Sequence, residues 1–222
     1  MKPFNYESGE RHSAPLFKYM IEREAIRLRK EAGQPRPWTD DPILRDGYFT
    51  NVRRSDDRTT RELLARFYQP NASSARPGDV LFHCAMARWF GRAEHVIALG
   101  WQREWDAEAI IVAIQGRMVN GSGFFTGAYK IPVIDKSEPR KEVDVCRNLL
   151  TPLWAARHRI AESAMQPCYG WENLCSQLRG FWGFGPFMAK EVAQDFILAT
   201  GWRPRDLNTF TPVGPGARQG LN

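Results

Sequence analysis

The stretch from residue 174 to residue 196, LCSQLRGFWGFGPFMAKEVAQDF, constrains the fold of this chain more than any other. Its apolar residues recur at helical spacing on both sides of a glycine-rich turn, Gly183-Phe184-Gly185. Pro186 follows the turn, where its fixed φ suits the first position of a helix and its missing N–H donor is not needed. The pattern therefore predicts a hairpin of two helices, which we place at residues 171–200.

This turn allows two interpretations from the sequence. Glycines at such a turn can expose backbone N–H groups at a helix N-terminus, where the partial positive charge of the helix receives a phosphate. Glycines serve equally well at an ordinary packing corner between two helices. On the first interpretation, Gly183, Gly185 and Lys190 contact the backbone of DNA.

Helical spacing of apolar residues extends over most of the chain, whereas strand signals are scarce. Residues 127–134 are the one strand candidate, limited to a sheet edge by Pro132. Ser13 is the predicted cap of the first helix and Gly33 its predicted end. These signals predict an all-α fold. The predicted helices span residues 15–32, 57–68, 78–90, 92–100, 105–116, 140–164, 171–179 and 187–200.

Two of these helices carry a more specific expectation. The 105–116 helix contains AEAIIVAIQ, which is apolar enough to be central in the fold. The 140–164 helix should bend or break near Thr151-Pro152, because proline removes a backbone donor and clashes with the preceding turn. Residues 33–54, with three prolines and two glycines, should form an ordered but irregular segment.

The charge of the chain suits a polyanionic partner without identifying one. The formal net charge is +6 and the pI is near 9.3. Of the 31 basic residues, 24 are Arg and 7 are Lys; a GC-rich genome and a phosphate-binding role explain this ratio equally well. One face of the first helix is basic, and it is either a solvated surface or the edge of a nucleic-acid groove. Its members are Arg23, Arg27, Arg29 and Lys30.

A second basic segment, FTNVRRSDDRTTRELLARF at residues 49–67, mixes arginines with acidic residues. Such a mixture is often a surface network of ion pairs. Arg53 and Arg54, however, precede a predicted helix start, where guanidinium groups and exposed N–H groups can converge on an anion. Asp56 or Asp57 could cap this helix instead of taking part in chemistry.

Several classes of protein are not supported by the sequence. The four cysteines form no CxxC pair and the four histidines show no HExxH spacing, so no metal site is expected. No apolar run is long enough to cross a membrane, and the N-terminus lacks the apolar stretch of a signal peptide. We therefore expect a cytoplasmic protein with no membrane partner. No GxxxxGK[ST] phosphate loop is present either.

The hairpin sequence resembles that of a known superfamily. GFGPFMAKEV, at residues 183–192, resembles the GVGxxTAxxV hairpin of the helix-hairpin-helix DNA glycosylases. The resemblance implies two helical lobes flanking a basic cleft, a flipped target base, and a catalytic aspartate beyond the second helix. Asp206 follows Val192 by 14 residues and fits that position. Phe187 takes the place of the lysine that bifunctional members carry, which argues against a Schiff-base lyase.

A closer resemblance extends over nearly the whole chain, residues 1–222, as a single glycosylase-like unit. The segments that carry it are REAIRLRKEAG, PWTDDPIL, FTNVRRSDDRTTR, TGAYKI, GFGPFMAKEV and NTFTPVGPGARQGLN. They resemble the phage alpha-glutamyl/putrescinyl thymine pyrophosphorylases, also described as amino acid:DNA transferases, and the helical domain of 5-hydroxymethyluracil DNA kinases. The resemblance implies a bacteriophage enzyme of the host cytoplasm that hypermodifies thymine in DNA.

The implied reaction replaces the pyrophosphate of 5-pyrophosphoryloxymethyl-deoxyuridine in DNA with the amine of an amino acid or polyamine. No cofactor is expected. The resemblance implies that pyrophosphate is bound by Arg53, Arg54 and Arg58, and that the base is bound by Asn51, Phe49 and Tyr129. The general base is Asp206, with Asp57 as the second candidate. Arg27 and the hairpin contact the DNA. A monofunctional glycosylase acting on a modified pyrimidine and a non-catalytic DNA-binding module are the alternatives.

Overall fold

The computed structural model describes residues 6–118, 123–125, 137 and 140–212; within residues 6–13 it describes only the backbone. All regular structure in these residues is helical, which confirms the predicted all-α class. The strand candidate at 127–134 lies outside the described residues. The chain forms two compact units, residues 1–61 and residues 62–222, and each is treated separately below. The predicted basic cleft between two lobes stays a prediction.

The first unit is built on one long helix, α1 (Tyr6–Glu31). The helix begins before the predicted start, and the assignment of Ser13 as its cap is wrong because Pro15 lies inside the helix rather than at its first turn. The predicted end is confirmed: Gly33 adopts a φ of 70°, and its N–H donates to the Lys30 carbonyl over 3.1 Å. A left-handed residue of this kind terminates a helix without strain only if it is glycine.

The irregular segment that follows α1 is ordered, as predicted, and contains a short helix, α2 (Pro42–Asp46). Asp41 caps this helix, because its Oδ1 accepts hydrogen bonds from the N–H groups of Ile43 and Leu44 over 2.8 and 3.0 Å. A single 3-10 turn at Arg54–Asp56 comes next, and α3 (Arg58–Leu63) then crosses the boundary between the units. These elements bring α2 and the 47–61 segment against α1.

The second unit packs around α5 (Pro77–Phe90), eleven of whose fourteen residues are buried. This helix, rather than α7 (Ala107–Met118), occupies the centre. The prediction for α7 is wrong because its apolar residues lie on more than one face, and Val112 is 67% exposed. The remaining helices of the unit are α4 (Gln69–Ala72), α6 (Ala93–Leu99), α8 (Lys141–Asp144), α9 (Thr151–Ala164), α10 (Trp171–Arg179) and α11 (Pro186–Thr200).

Two prolines lie inside continuous helical runs of the second unit, and each follows a wide π turn. The π segment Leu64–Tyr68 precedes Pro70, and the π segment Val145–Leu150 precedes Pro152. A π turn shifts the hydrogen-bond register, so that the missing proline donor and the bulk of its ring are accommodated. The predicted disturbance near Thr151-Pro152 is therefore a π turn, and the helical run continues through it.

The hairpin predicted at residues 171–200 is present as α10 and α11, which pack against each other. Pro186 opens α11, and Gly183 adopts a φ of 83° in the connecting turn. A Cβ atom at this glycine would lie 2.8 Å from Leu149 and 3.1 Å from Trp89. The turn therefore requires glycine for both its conformation and its packing.

Candidate anion-binding pocket

A pocket of about 520 Å³ lies within the first unit, against α1, α2 and the segment that follows α2. Seven of its lining side chains are basic and two are acidic, so the pocket carries an excess of positive charge. Three more are aromatic. The lining residues are Arg23, Ile26, Arg27, Lys30, Glu31, Arg36, Trp38, Leu44, Arg45, Gly47, Tyr48, Phe49, Asn51, Asp56, Arg58 and Arg61.

Trp38 places an aromatic surface among these cations. The guanidinium of Arg36 lies 4.5 Å from the centroid of the Trp38 ring, and the ammonium of Lys30 lies 5.8 Å from it. Such stacking orients a guanidinium while its hydrogen-bond donors stay available. Phe49 adds a second ring, packed edge-on against Tyr19 at 5.8 Å. The pocket thus combines a cationic surface with an aromatic one.

Arg27 is held in the pocket wall by two carboxylates of its own helix. Its Nε and Nη2 donate to Glu24 over 2.9 and 2.6 Å, and its Nη1 donates to Glu31 over 2.6 Å. The hydrogen bond to Glu24 is the main cause that raises the pKa of Arg27 and lowers the pKa of Glu24. Arg27, predicted to contact DNA, therefore directs these donors to its own chain.

Asp56 also lines the pocket, beside Arg27. Its Oδ2 lies 3.6 Å from Nε of Arg27. This oxygen is hidden from solvent and has no hydrogen-bond partner in the part of the chain that the structure describes. The main-chain carbonyl of Asp56, in contrast, accepts a hydrogen bond from Asn51 Nδ2 over 2.8 Å. The side chain of Asp56 thus retains an unused acceptor.

Asn51, predicted to bind the base, closes the loop that it belongs to. Besides the bond to Asp56, its Oδ1 accepts from Nη2 of Arg23 over 2.8 Å, and the same Nη2 donates to the Phe49 carbonyl over 3.1 Å. In the structure the Asn51 amide is therefore engaged in hydrogen bonds that close this loop. Reading a uracil edge through this amide would require one of these hydrogen bonds to be exchanged.

Asp57 caps α3, as one of the sequence alternatives proposed. Its Oδ2 accepts from the N–H of Thr60 over 3.0 Å and from the Thr60 hydroxyl over 3.2 Å. Asp57 is not among the pocket-lining residues. Its predicted place as second catalytic base stays a prediction.

Of the three arginines predicted to bind pyrophosphate, Arg58 lines the pocket and is exposed. Arg53 and Arg54 are not among the lining residues; Arg53 is 68% exposed and lies 3.5 Å from Glu24. Sequence reasoning missed Arg36, Arg45 and Tyr48 as parts of one site. The juxtaposition of basic and aromatic residues in PRPW and RDGY was the available signal.

Asp206 belongs to the second unit, where it caps α10. Its Oδ1 accepts from the N–H of Trp171 and its Oδ2 from the N–H of Glu172, both over 2.9 Å. A side chain at Gly170 would overlap the carboxylate, so the glycine keeps room for this cap. Both oxygens of Asp206 thus already receive a backbone donor.

The hairpin residues predicted to contact DNA lie at or near the turn before α11. The N-cap residue of α11, Gly185, is exposed and has no side chain with which to cap the helix. Lys190 is paired with Glu191 over 2.9 Å and lies 5.4 Å from the Phe187 ring centroid. The third base-binding candidate, Tyr129, is outside the described residues.

Two general properties of the described part of the chain bear on function. No group of three or more His, Cys, Asp or Glu side chains there could hold a metal ion. No described helix is both long enough and apolar enough to cross a membrane.

Comparison with known proteins gives two matches. The family model described as "5-hmdU DNA kinase, helical domain" matches residues 10–222. The 5-hmdU DNA kinase of Bacillus phage SP10 is 26% identical over 231 aligned residues, which cover 97% of this chain and 36% of the phage protein. The chain thus spans about a third of the length of this curated relative. No solved structure matches the chain significantly.

Proposed function

Because the chain belongs to the family of 5-hmdU DNA kinase helical domains, we propose that it binds DNA carrying a phosphorylated 5-hydroxymethyluracil and modifies that base. The reaction that we assign to it is a transfer. The amine of an amino acid or polyamine replaces the pyrophosphate of 5-pyrophosphoryloxymethyl-deoxyuridine in DNA. The scheme needs no cofactor, since the leaving group is already activated.

The composition of the anion-binding pocket carries this proposal. Its volume of about 520 Å³ suits a nucleotide-sized ligand, since small-molecule sites fall in the range of roughly 300–1,000 Å³. Seven basic side chains face two acidic ones, and three aromatic rings lie among them. An extruded pyrimidine with a pyrophosphate on its 5-methylene has the complementary properties, a flat ring beside a polyanion.

The pocket can also assist the chemical step. Negative charge gathers on the leaving pyrophosphate as its bond to the methylene carbon breaks. Guanidinium groups fixed in advance stabilise that charge without having to reorganise. Arg58 is exposed at the pocket, and Arg36 is oriented by its stacking on Trp38. These arginines are our choice for the leaving-group site, and the predicted roles of Arg53 and Arg54 are kept as part of the proposal.

In the second unit, the turn between α10 and α11 is proposed to hold the DNA backbone. The exposed N-terminus of α11 at Gly185 offers N–H groups to a phosphate, and Lys190 lies about one turn further along the same helix. This contact would be independent of base sequence, because phosphates carry no sequence information.

A second candidate function is recognition without catalysis. The relative in Bacillus phage SP10 is a DNA kinase, and this chain matches only 36% of it. A domain that presents a modified base to a separate kinase domain needs the same pocket but no acceptor amine. Binding alone would then be the whole contribution of these residues.

Release of pyrophosphate distinguishes the two candidates. The protein is incubated with DNA containing 5-pyrophosphoryloxymethyl-deoxyuridine, with and without glycine, glutamate or putrescine. The transferase proposal predicts release that depends on one of these amines, and none from DNA that contains unphosphorylated 5-hydroxymethyluracil. Tight binding of the modified DNA without release in any arm favours the recognition domain.

A further inference from the structure

We infer that Asp56 receives the incoming amine in the anion-binding pocket and accepts its proton as the new C–N bond forms. The inference rests on the transferase function proposed above, and it assigns the base to a residue other than Asp206 or Asp57. It names a site for a ligand class, the primary amines, inside a pocket that otherwise favours anions.

The hydrogen bonds of the pocket single out this carboxylate. Only two acidic side chains line the pocket in the described residues, Glu31 and Asp56. Both oxygens of Glu31 accept hydrogen bonds, one from Arg27 over 2.6 Å and one from Arg61 over 3.3 Å. Asp56 Oδ2 accepts none. A buried acceptor without a hydrogen bond is costly in a folded protein. The Asp56 side chain is 19% exposed, so a rotation of its carboxylate can bring this oxygen to a ligand N–H and remove that cost.

The neighbouring Arg27 does not donate the missing hydrogen bond to Asp56 Oδ2. Nε of Arg27 carries a single hydrogen, which is donated to Glu24 Oε2 over 2.9 Å. At 3.6 Å, Arg27 therefore contributes positive charge beside Asp56 but no hydrogen bond.

The other proposed bases cap helices and lie outside the pocket. Asp57 accepts from the N–H and hydroxyl of Thr60, and each oxygen of Asp206 accepts a backbone N–H at the start of α10. Neither is among the residues that line the pocket. Asp56 is the aspartate that the fold brings to the cluster of basic and aromatic side chains.

The charge balance of the pocket makes such a residue necessary. An amine that enters as an ammonium ion is repelled by seven basic side chains, and a carboxylate gives it one favourable contact. Asp56 first takes one proton from this ammonium ion and releases it to water. The nitrogen lone pair of the resulting neutral amine then forms the bond to the methylene carbon. The C–O bond breaks and its electrons leave with pyrophosphate. One N–H proton passes to the Asp56 carboxylate, which later releases it to water.

The test compares Asp56→Asn with wild type and with Asp40→Asn. Asp40 is exposed, lies in the same unit and does not line this pocket, so its variant removes the same charge elsewhere. Transfer of putrescine to pyrophosphorylated DNA is followed between pH 6 and pH 10. Binding of putrescine alone to the full chain is measured by calorimetry in parallel.

We expect Asp56→Asn to slow transfer at pH 7 roughly a hundredfold or more, the usual contribution of a positioned base. The loss should shrink as the pH rises, because more of the free amine is then neutral. Asp56→Glu should restore part of the rate, and the affinity for the pyrophosphorylated DNA should not fall. A rate within threefold of wild type, or a loss that stays constant over the whole pH range, overturns the inference.

A failure of the proposed transferase function gives a different result from a failure of the Asp56 inference. If wild type transfers none of the amines, the transferase proposal fails, and the calorimetry then decides on the amine site. Putrescine binding that Asp56→Asn weakens at least tenfold, and that Asp40→Asn leaves unchanged, supports the site. Absence of putrescine binding to wild type contradicts it.

Discussion

Nε of Arg27 and Oδ2 of Asp56 lie 3.6 Å apart, and no hydrogen bond joins them. The distance reflects the competition for Arg27, whose hydrogen-bond donors are directed to Glu24 and Glu31. Arg27 is thus fixed by its own helix, and Asp56 Oδ2 accepts no hydrogen bond in the described residues. The inference that Asp56 receives an incoming amine rests on this relationship.

Replacement of Arg58 should weaken the leaving-group site. Arg58→Ala removes an exposed guanidinium from the pocket, and loss of one preorganised donor typically costs about a hundredfold or more in rate. Steady-state transfer on pyrophosphorylated DNA measures the effect. Arg66→Ala is the matched control, because Arg66 is exposed and lies outside the pocket. Equal rates for the two variants would remove Arg58 from the proposed site.

Replacement of the two capping aspartates, Asp206 and Asp57, by asparagine should change the free energy of unfolding by different amounts. Asp206 uses both oxygens to accept backbone N–H groups, and asparagine would turn an NH₂ group toward one of those donors. Asp57 accepts through Oδ2 alone, which the asparagine carbonyl can replace. We expect Asp206→Asn to lower the free energy of unfolding by roughly 0.5–2 kcal/mol and Asp57→Asn to change it little.

Urea denaturation of both variants gives this comparison. If Asp206 also acts as a base, the rate of its asparagine variant should fall at temperatures where the protein is fully folded. A normal rate in the folded variant would restrict Asp206 to its capping role.

The stability of the second unit should fall in mild acid because of His83. Burial lowers the pKa of this side chain from 6.5 to about 4. Its Nε2 accepts from the N–H of Gln102 over 2.8 Å, and its Nδ1 contacts the Asp79 carbonyl over 2.7 Å, so the ring is neutral with the proton on Nδ1. Because the unfolded chain binds the proton more readily, stability is complete above pH 6.5 and is lost as the pH falls toward 4.

The size of this effect is on the order of 3 kcal/mol over the full window. Denaturant midpoints of wild type and His83→Gln, measured at pH 7 and pH 5, test it. Wild type should lose more stability between the two pH values than the variant, which does not titrate at this position. An identical decrease in both proteins would show that other groups cause the acid sensitivity.

The hairpin turn should tolerate alanine at one glycine and not at the other. Gly183 has a φ of 83°, and an added Cβ would meet Leu149 at 2.8 Å. Gly185 has a φ of −71° and open space around the same position. Gly183→Ala should therefore destabilise the protein by at least about 1–2 kcal/mol, whereas Gly185→Ala should be nearly neutral. Thermal unfolding of the two variants measures the difference, and equal melting temperatures would be inconsistent with the turn described.

The hairpin and most helices could be predicted because their signals are local. Pro186 and Gly183 mark the turn, and Gly33 marks the end of α1, through conformations that only nearby residues determine. The start of α1 could not be predicted in this way, since Pro15 suits a first turn and is tolerated inside this helix.

The candidate site was harder to predict from the sequence than the helices, because its residues come together only after folding. The pocket joins α1 to residues of the following segment, and Arg36 acquires its position from stacking on Trp38. The capping partners of Asp206 lie 34 and 35 residues away in sequence, a separation that no local pattern reveals. The distance of Asp206 from the hairpin suggested a catalytic aspartate, which stays a prediction; its two hydrogen bonds add a helix-capping role.

Mass spectrometry of nucleosides tests the central claim most directly. DNA containing 5-pyrophosphoryloxymethyl-deoxyuridine is incubated with the protein and with glycine, glutamate or putrescine, and is then digested to nucleosides. The proposed transfer predicts a new nucleoside whose mass equals that of 5-pyrophosphoryloxymethyl-deoxyuridine after its pyrophosphate has been exchanged for one of these amines, in an intact strand. Recovery of the starting nucleoside from every reaction, or release of free base with abasic sites in the DNA, would contradict it.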